Sequence, residues 1–199
     1  LTKVGATLWR SYGNSFFYAI SDTFCHLFFC SMFGFVLARK ELKARNAIAL
    51  FIYISTLFNG GLAPTYILYT KILHLQNTIW VYLVPSFISA GTVVTLRVFI
   101  QSGIDQALLE SAKIDGANEF QIYYKICLPL LKAGLATCGL GAFVGSWNDW
   151  FTGAMYVQDK AKQPIMTYLT KIERTLNYLK QNNPQSATPE GMAILKKIP

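Results

Sequence analysis

Asp22 and His26 stand four residues apart inside the apolar run FFYAISDTFCHLFFCS. On a helix that spacing puts a carboxylate and an imidazole on one face, a pairing that can relay protons or do acid–base work. A charge at mid-bilayer costs about 3 kcal/mol, so in a membrane both would turn inward, as a proton relay or as a satisfied structural pair. The other histidine, His74, lies in YTKILHLQN, and the three together would be the material for a membrane-embedded enzyme. No HExxH, GxSxG, paired-carboxylate or glycine-rich phosphate-loop pattern accompanies them. No catalytic residue is therefore assigned, and no ATP hydrolysis is expected on this chain. Cys25, Cys30, Cys127 and Cys138 show no CxxC pair and no histidine at metal-ligand spacing, so they read as buried thiols with no metal site.

The elements that must position these residues are greasy. The 199-residue chain is 53% hydrophobic and 15% aromatic. Only 14% of it is charged, against roughly a quarter in soluble domains, which makes a membrane protein the better class. The net charge of +8 gathers where apolar segments end, as membrane topology requires, and forms no stripe for nucleic acid. The opening LTKVGATLWR has no apolar signal-peptide core, and the start at Leu1 suggests a fragment.

A hydrocarbon core of about 30 Å takes about 20 helical residues. Windows of that kind fall at about 16–38, 47–68, 78–96 and 130–157. Gly60, Gly61 and Pro64 should bend the second, the third holds Pro85, and the small residues of GLATCGLGAFVG let the fourth pack closely. Arg39, Lys40, Lys43 and Arg45 oppose only Glu41 between the first two spans, which puts that loop in the cytoplasm. By alternation YTKILHLQN lies outside and the polar insert 101–129 inside. The region after Val157 then falls outside, with Lys160, Lys162, Lys171 and Arg174 running against the trend.

Within the insert, Ser102 and Asp105 have capping-box spacing at the start of a helix carrying Ile104, Ala107, Leu108 and Ala112 on one face. Gly116 is placed as a left-handed C-cap, Asn118 with Gln121 as a second N-terminal signal, and Pro129 in the first turn of the next span. These signals predict helix, tight turn and helix at the membrane surface, a shape suited to docking.

The spacing is also specific. Glu110, Ser111 and Ala112, then Gly116 after three residues, then Ile126, Leu128 and Pro129 resemble the EAA motif of permease subunits of binding-protein-dependent ABC importers. Ser111 stands where the motif has its first alanine, and IDGA at 114–117, with Asp115 and Ala117, strengthens the match. FNGGLAPTY at 58–66, the run from Arg97 and WNDW at 147–150 are similar to the carbohydrate branch, which handles oligosaccharides or polysaccharide fragments. The similarity covers about Gly13 to Tyr168.

The resemblance implies an all-α, polytopic membrane helix bundle of the type I ABC importer kind, with a cytoplasmic helix-turn-helix coupling element. It implies a multi-pass subunit of a bacterial cell membrane that couples ATP hydrolysis elsewhere to alternating access for sugars. Its partners would be a dimer of ATPase subunits carrying ATP and Mg, a second, different permease, an extracytoplasmic sugar-binding protein and membrane lipid. No cofactor is expected on this chain. Glu110 would meet a basic group in the ATPase groove, Gly116 would permit the turn, and Leu128 with Pro129 would couple the second helix to the fourth span.

Family members carry six spans with the motif between the fourth and fifth, so residues 1–157 would be a partial transmembrane domain holding the equivalents of spans two to five. Residues 158–199 would be an extracytoplasmic tail ahead of a last span. The alternatives are a permease for another solute or a nonfunctional remnant. For the pathway, Trp147 and Trp150 could stack on sugar rings and Asn148 and Asn59 bind hydroxyls. Tryptophans near a membrane boundary also serve as interfacial anchors, and a buried asparagine can simply bond a neighbouring helix.

Overall fold

The computed structural model of the chain describes residues 2–58 and 60–182, and its regular elements among those residues are all helices. The first, α1 (Thr2–Ala38), has 37 residues and starts well before the expected span, because polar residues ahead of Phe16 do not interrupt helical winding. Within it, Gly5–Ala38 is the one unbroken helix among the described residues long and apolar enough to cross a membrane. The other candidate spans are broken. α2 (Arg45–Leu57) and α3 (Leu62–Ile72) bend by 108°, with Gly61 at φ +86 and Pro64 in the first turn of α3. α4 (Trp80–Ser86) and α5 (Ala90–Gly103) bend by 52° just after Pro85. α6 (Gln106–Ile114) precedes α7 (Glu119–Leu130), which meets α8 (Lys132–Trp147) at 79°. α9 (Trp150–Tyr156) and α10 (Ile165–Asn182) follow. Counting each bent pair as one span gives up to four. The continuous stretch expected over 130–157 is cut twice, at Leu131 and at Asn148–Asp149.

Residues 16–148 form one compact unit, and residues up to 15 with those from 149 onward form another. In the larger unit α1 is the spine. Breaking a helix frees backbone N–H and C=O groups that hydrocarbon cannot satisfy, so neighbouring helices must do it. Asp22, His26 and Cys30, one turn apart, perform that task for the α4–α5 break. Ser86 donates its hydroxyl to Asp22 Oδ1. His26 Nδ1 bonds the Ser86 carbonyl, leaving Nε2 to accept from Thr92 Oγ1 at 3.0 Å. Cys30 Sγ reaches the Phe87 carbonyl at 3.6 Å and receives the Ser89 N–H at 3.5 Å. Asp22 and His26, each only 7% exposed, thus both bond to the α4–α5 break. His74 is exposed on a loop at φ 50, and among the described residues no group of three metal-capable side chains occurs. The four cysteines are free thiols, Cys30 and Cys127 fully buried.

Cys30, Leu37, Val93 and Leu96 make a buried cluster between α1 and α5, flanked by Ile48 and Ile52 of α2. Gly34 permits this approach: a Cβ there would lie 3.2 Å from Leu96 Cβ and 3.3 Å from the Arg97 backbone nitrogen. Outward, Phe17, Phe24, Phe51, Leu57 and Leu140 are exposed, surface that water disfavours and a bilayer accepts.

In the smaller unit, Asn14 Nδ2 donates to the Ala161 carbonyl at 2.8 Å and the Ile165 N–H to Ser15 Oγ at 2.8 Å. These bonds hold the amphipathic α10 to the start of α1.

Gly34→Val should lower the thermal unfolding midpoint of the solubilised subunit, by about 1–3 kcal/mol of overpacking, since backbone atoms must give way. Gly91→Ala, where a Cβ meets only Ser89 Oγ at 3.8 Å, should leave the midpoint unchanged or raised.

Candidate functional site

The polar insert folds as two short helices around a tight turn, with one difference at its start. Ser102 still belongs to α5 and donates to the Val98 carbonyl at 2.9 Å, so it caps nothing. Asp105 alone is the N-cap of α6, accepting from Ala107 N at 3.0 Å. The expected Ser102–Asp105 box fails because α5 runs past Ser102 and uses its hydroxyl within the helix.

The turn explains the motif residue by residue. Ala117 N donates to Ala112 O at 3.0 Å and Gly116 N to Lys113 O at 3.1 Å, the paired bonds of a Schellman ending. Gly116 sits at φ +83, where a side chain is strained. Ala112 and Ala117, the third-last helical position and the residue after the glycine, both pack against one buried cluster. Asn118 and Gln121 then form a complete capping box, with bonds of 2.8 and 2.9 Å. α7 is π-wound over Ile122–Cys127. Pro129 was expected in the first turn of the next span and instead lies in the last turn of α7. It follows the wide turn closed by Leu128 N–H on Tyr123 O, and the chain turns only at Leu131.

Burial seats the element. Ile122, Tyr123 and Cys127 of α7 join Phe35 and Ala38 of α1, Ile100 of α5, Leu109 of α6 and Leu131 in one cluster, against which Ile126 and Leu128 pack half-buried. Tyr123 OH and Ser31 Oγ share a buried 2.7 Å hydrogen bond. Around this core Arg39 donates to Glu119 Oε1 at 2.8 Å, and Lys113 donates to Glu41 Oε2 at 2.6 Å while lying 3.5 Å from Glu119. Lys113 holds the Glu41 carboxyl below its ordinary range, and Glu41 holds the Lys113 ammonium above its own. The first effect is lost as acid protonates Glu41 and the second as base deprotonates Lys113, so the pair stands intact at neutral pH. Both groups are exposed, and the pair orients more than it stabilises.

The outer surface remains open. Glu110, Ser111, Asp115 and Pro129 are exposed, and so are the large side chains Ile114 (85%), Phe120 (62%) and Tyr124 (64%). A crease of about 380 Å³, lined by Asp115, Gly116, Ala117, Gln121, Lys125 and Ile126, runs along the turn. Sequence reasoning passed over Ile114, Phe120 and Tyr124 as well as the clamp of Arg39, Glu41, Lys113 and Glu119. The lone acid Glu41 in a basic loop was a signal, but a pairing across 80 residues has no local signature.

Of the pathway candidates, Asn59 lies outside the described residues. Trp147 stacks on Phe143 with centroids 6.1 Å apart, and Asn148 is the C-cap of α8. Both belong to the larger unit. Trp150, in the smaller unit, opens α9 after the Asp149 N-cap and lies under Arg174 at 4.7 Å.

A bundle of apolar, partly broken helices carrying a rigid two-helix element at one polar turn is the architecture of a transport permease of the type I ABC importer class. The chain belongs to the family of binding-protein-dependent transport system inner membrane components, whose model matches residues 11–187. It is therefore a multi-pass membrane protein. It is 37% identical to Protein LplC of Bacillus subtilis, over 83% of this chain and 56% of the relative. It is 34% identical to the polygalacturonan/rhamnogalacturonan transport system permease protein YtcP of the same organism, over 83% and 57%. Among solved structures, a bacterial ABC transporter that imports the acidic polysaccharide alginate superposes with a TM-score of 0.78 at 27% identity, covering 88% of this chain and 64% of the other. The chain spans somewhat more than half the length of the curated relatives it matches.

Glu119→Ala should destabilise the subunit by about 1–3 kcal/mol in thermal unfolding, because it strands the Arg39 guanidinium, 9% exposed, without its ion pair. Glu119→Gln, which keeps one acceptor, should recover part of the loss.

Proposed function

We propose that this chain is a permease subunit of an ATP-driven importer for oligosaccharides or polysaccharide fragments. The observation that carries the proposal is the 106–130 element: polar and apolar groups face outward from a turn whose inner face is buried against α1, α5 and the start of α8. Such a seat transmits force, since a packed core moves as a body and does not deform continuously. An ATPase dimer holding ATP and Mg docks on Glu110, Ser111 and the crease beside Gly116. Closure of that dimer carries α6 and α7 with it and tilts α1 and α8 between inward-facing and outward-facing arrangements. Ala112, Asp115 and Ala117 shape the turn, and Ile126, Leu128 and Pro129 pass its motion to α8. This chain supplies no catalytic group and no cofactor site. A second, different permease completes the pathway, to which Asn59, Trp147, Asn148 and Trp150 are candidate contributors, and an extracytoplasmic binding protein delivers the solute. The similarity to YtcP and to the transporter involved in alginate import supports a carbohydrate as that solute.

The test is co-purification from native membranes. The native chain should bring down an ATPase, a second permease and a solute-binding protein. A Glu110→Lys and Gly116→Pro double variant should lose the ATPase by about tenfold or more, as disruption of an interface anchor does, and uptake with it. Ser102→Ala, whose hydroxyl bonds within its own helix at Val98 O, should behave as native. Absence of an ATPase from the native preparation would sink the proposal.

A further inference from the structure

A second cavity, of about 340 Å³, opens where α1 ends, α2 begins and α5 passes into α6. Arg39, Lys40 and Arg45 line it with the amides of Gln101 and Gln106, and none of its lining residues is acidic. Its apolar wall includes Ile100 and Leu109. Arg39 is 8% exposed and spends one amino group on Glu119, while its other, Nη1, is buried without a hydrogen-bond partner. Neither Lys40 nor Arg45 takes part in an ion pair among the described residues. Three cations around one concavity, with a guanidinium nitrogen left unsatisfied, describe an anion site whose anion the protein itself does not supply.

The surroundings say which anion. The turn at 39–44 falls where the apolar stretch of α1 stops, the depth of lipid headgroups in a protein that spans the bilayer. Arg45 opens α2, whose first amides have no side-chain cap. From that first turn α2 presents Leu50, Phe51, Ile54 and Leu57 exposed, on a helix with no buried residue. A phosphate in the cavity with acyl chains lying along this face satisfies both halves of the site at once. We propose that this cavity binds the phosphodiester of an anionic membrane lipid, held by Arg39, Lys40 and Arg45. Lipids that offset the phosphate with their own ammonium would bring a fourth cation beside these three and bind less well.

The inference stands on membrane insertion alone and is independent of the solute carried. Its test uses the tagged subunit purified with the partners it retains, offered phosphatidylglycerol or phosphatidylcholine in mixed micelles and read by native mass spectrometry. The native chain should retain phosphatidylglycerol in clear preference. Lys40→Ala with Arg45→Ala should weaken that retention about thirtyfold while leaving phosphatidylcholine unaffected. The charge-keeping pair Lys40→Arg and Arg45→Lys should retain it. If the double alanine variant does not fold, Arg45→Gln alone must still lower retention. Unchanged retention in the folded variants overturns the proposal. Displacement of the lipid by millimolar inorganic phosphate would make free phosphate the ligand and overturn the lipid source. Loss of a co-purifying soluble subunit with lipid retention intact would make the cluster a protein-docking surface, and so overturn it as well.

Discussion

A backbone that breaks inside an apolar environment must find partners for the groups it frees, and much of this structure follows from how those partners are found. α1 stays unbroken over 37 residues and lends its side chains to a helix that does not. Asp22, His26 and Cys30 occupy successive turns of one face and answer the hydroxyl, carbonyls and amide around Ser86 to Ser89. An isolated carboxylate and imidazole would be costly at such depth. Bonded to the break they are the means by which Pro85 and the 52° bend are tolerated.

The same helix organises the surface element at its other end. Ser31, Phe35 and Arg39 again rise at four-residue steps, meeting Tyr123 by a hydrogen bond, a ring contact and the cluster, and Glu119 by an ion pair. Apolar burial supplies the stability here, and the charges supply direction. The exposed Lys113–Glu41 pair adds little free energy, whereas Glu119 keeps the buried Arg39 guanidinium from being left unpaired. Stiffness of this kind fits an element that transmits displacement. The open face with Glu110, Ile114, Phe120 and Tyr124 has the mixture of charge and exposed ring surface from which protein interfaces are made.

Local chemistry made the turn legible. A glycine four residues after Ala112, followed by Asn-x-x-Gln, commits the backbone to a left-handed ending and a new capped helix almost regardless of context, and the structure has both. Ser102 shows the limit. Its spacing to Asp105 satisfies a capping rule, yet Ile100 and Ile104 are buried in the shared cluster and α5 continues through Ser102 to bury them. Pro129 was displaced for a related reason: burying Ile122, Tyr123 and Cys127 on one side sets the winding of α7, and the proline falls wherever that winding puts it.

Composition and apolar windows determined an all-helical membrane chain with four candidate spans, because a bilayer admits few other solutions for so greasy a sequence. The motif spacing determined the helix, turn and helix, since capping acts over a handful of residues. Only the tertiary structure decided where the spans break, what Asp22 and His26 are for, and which charges hold the surface element. Those outcomes depend on which side chains from 60 to 92 residues away arrive to satisfy a freed carbonyl or an uncompensated charge, and neither hydropathy nor periodicity carries that information.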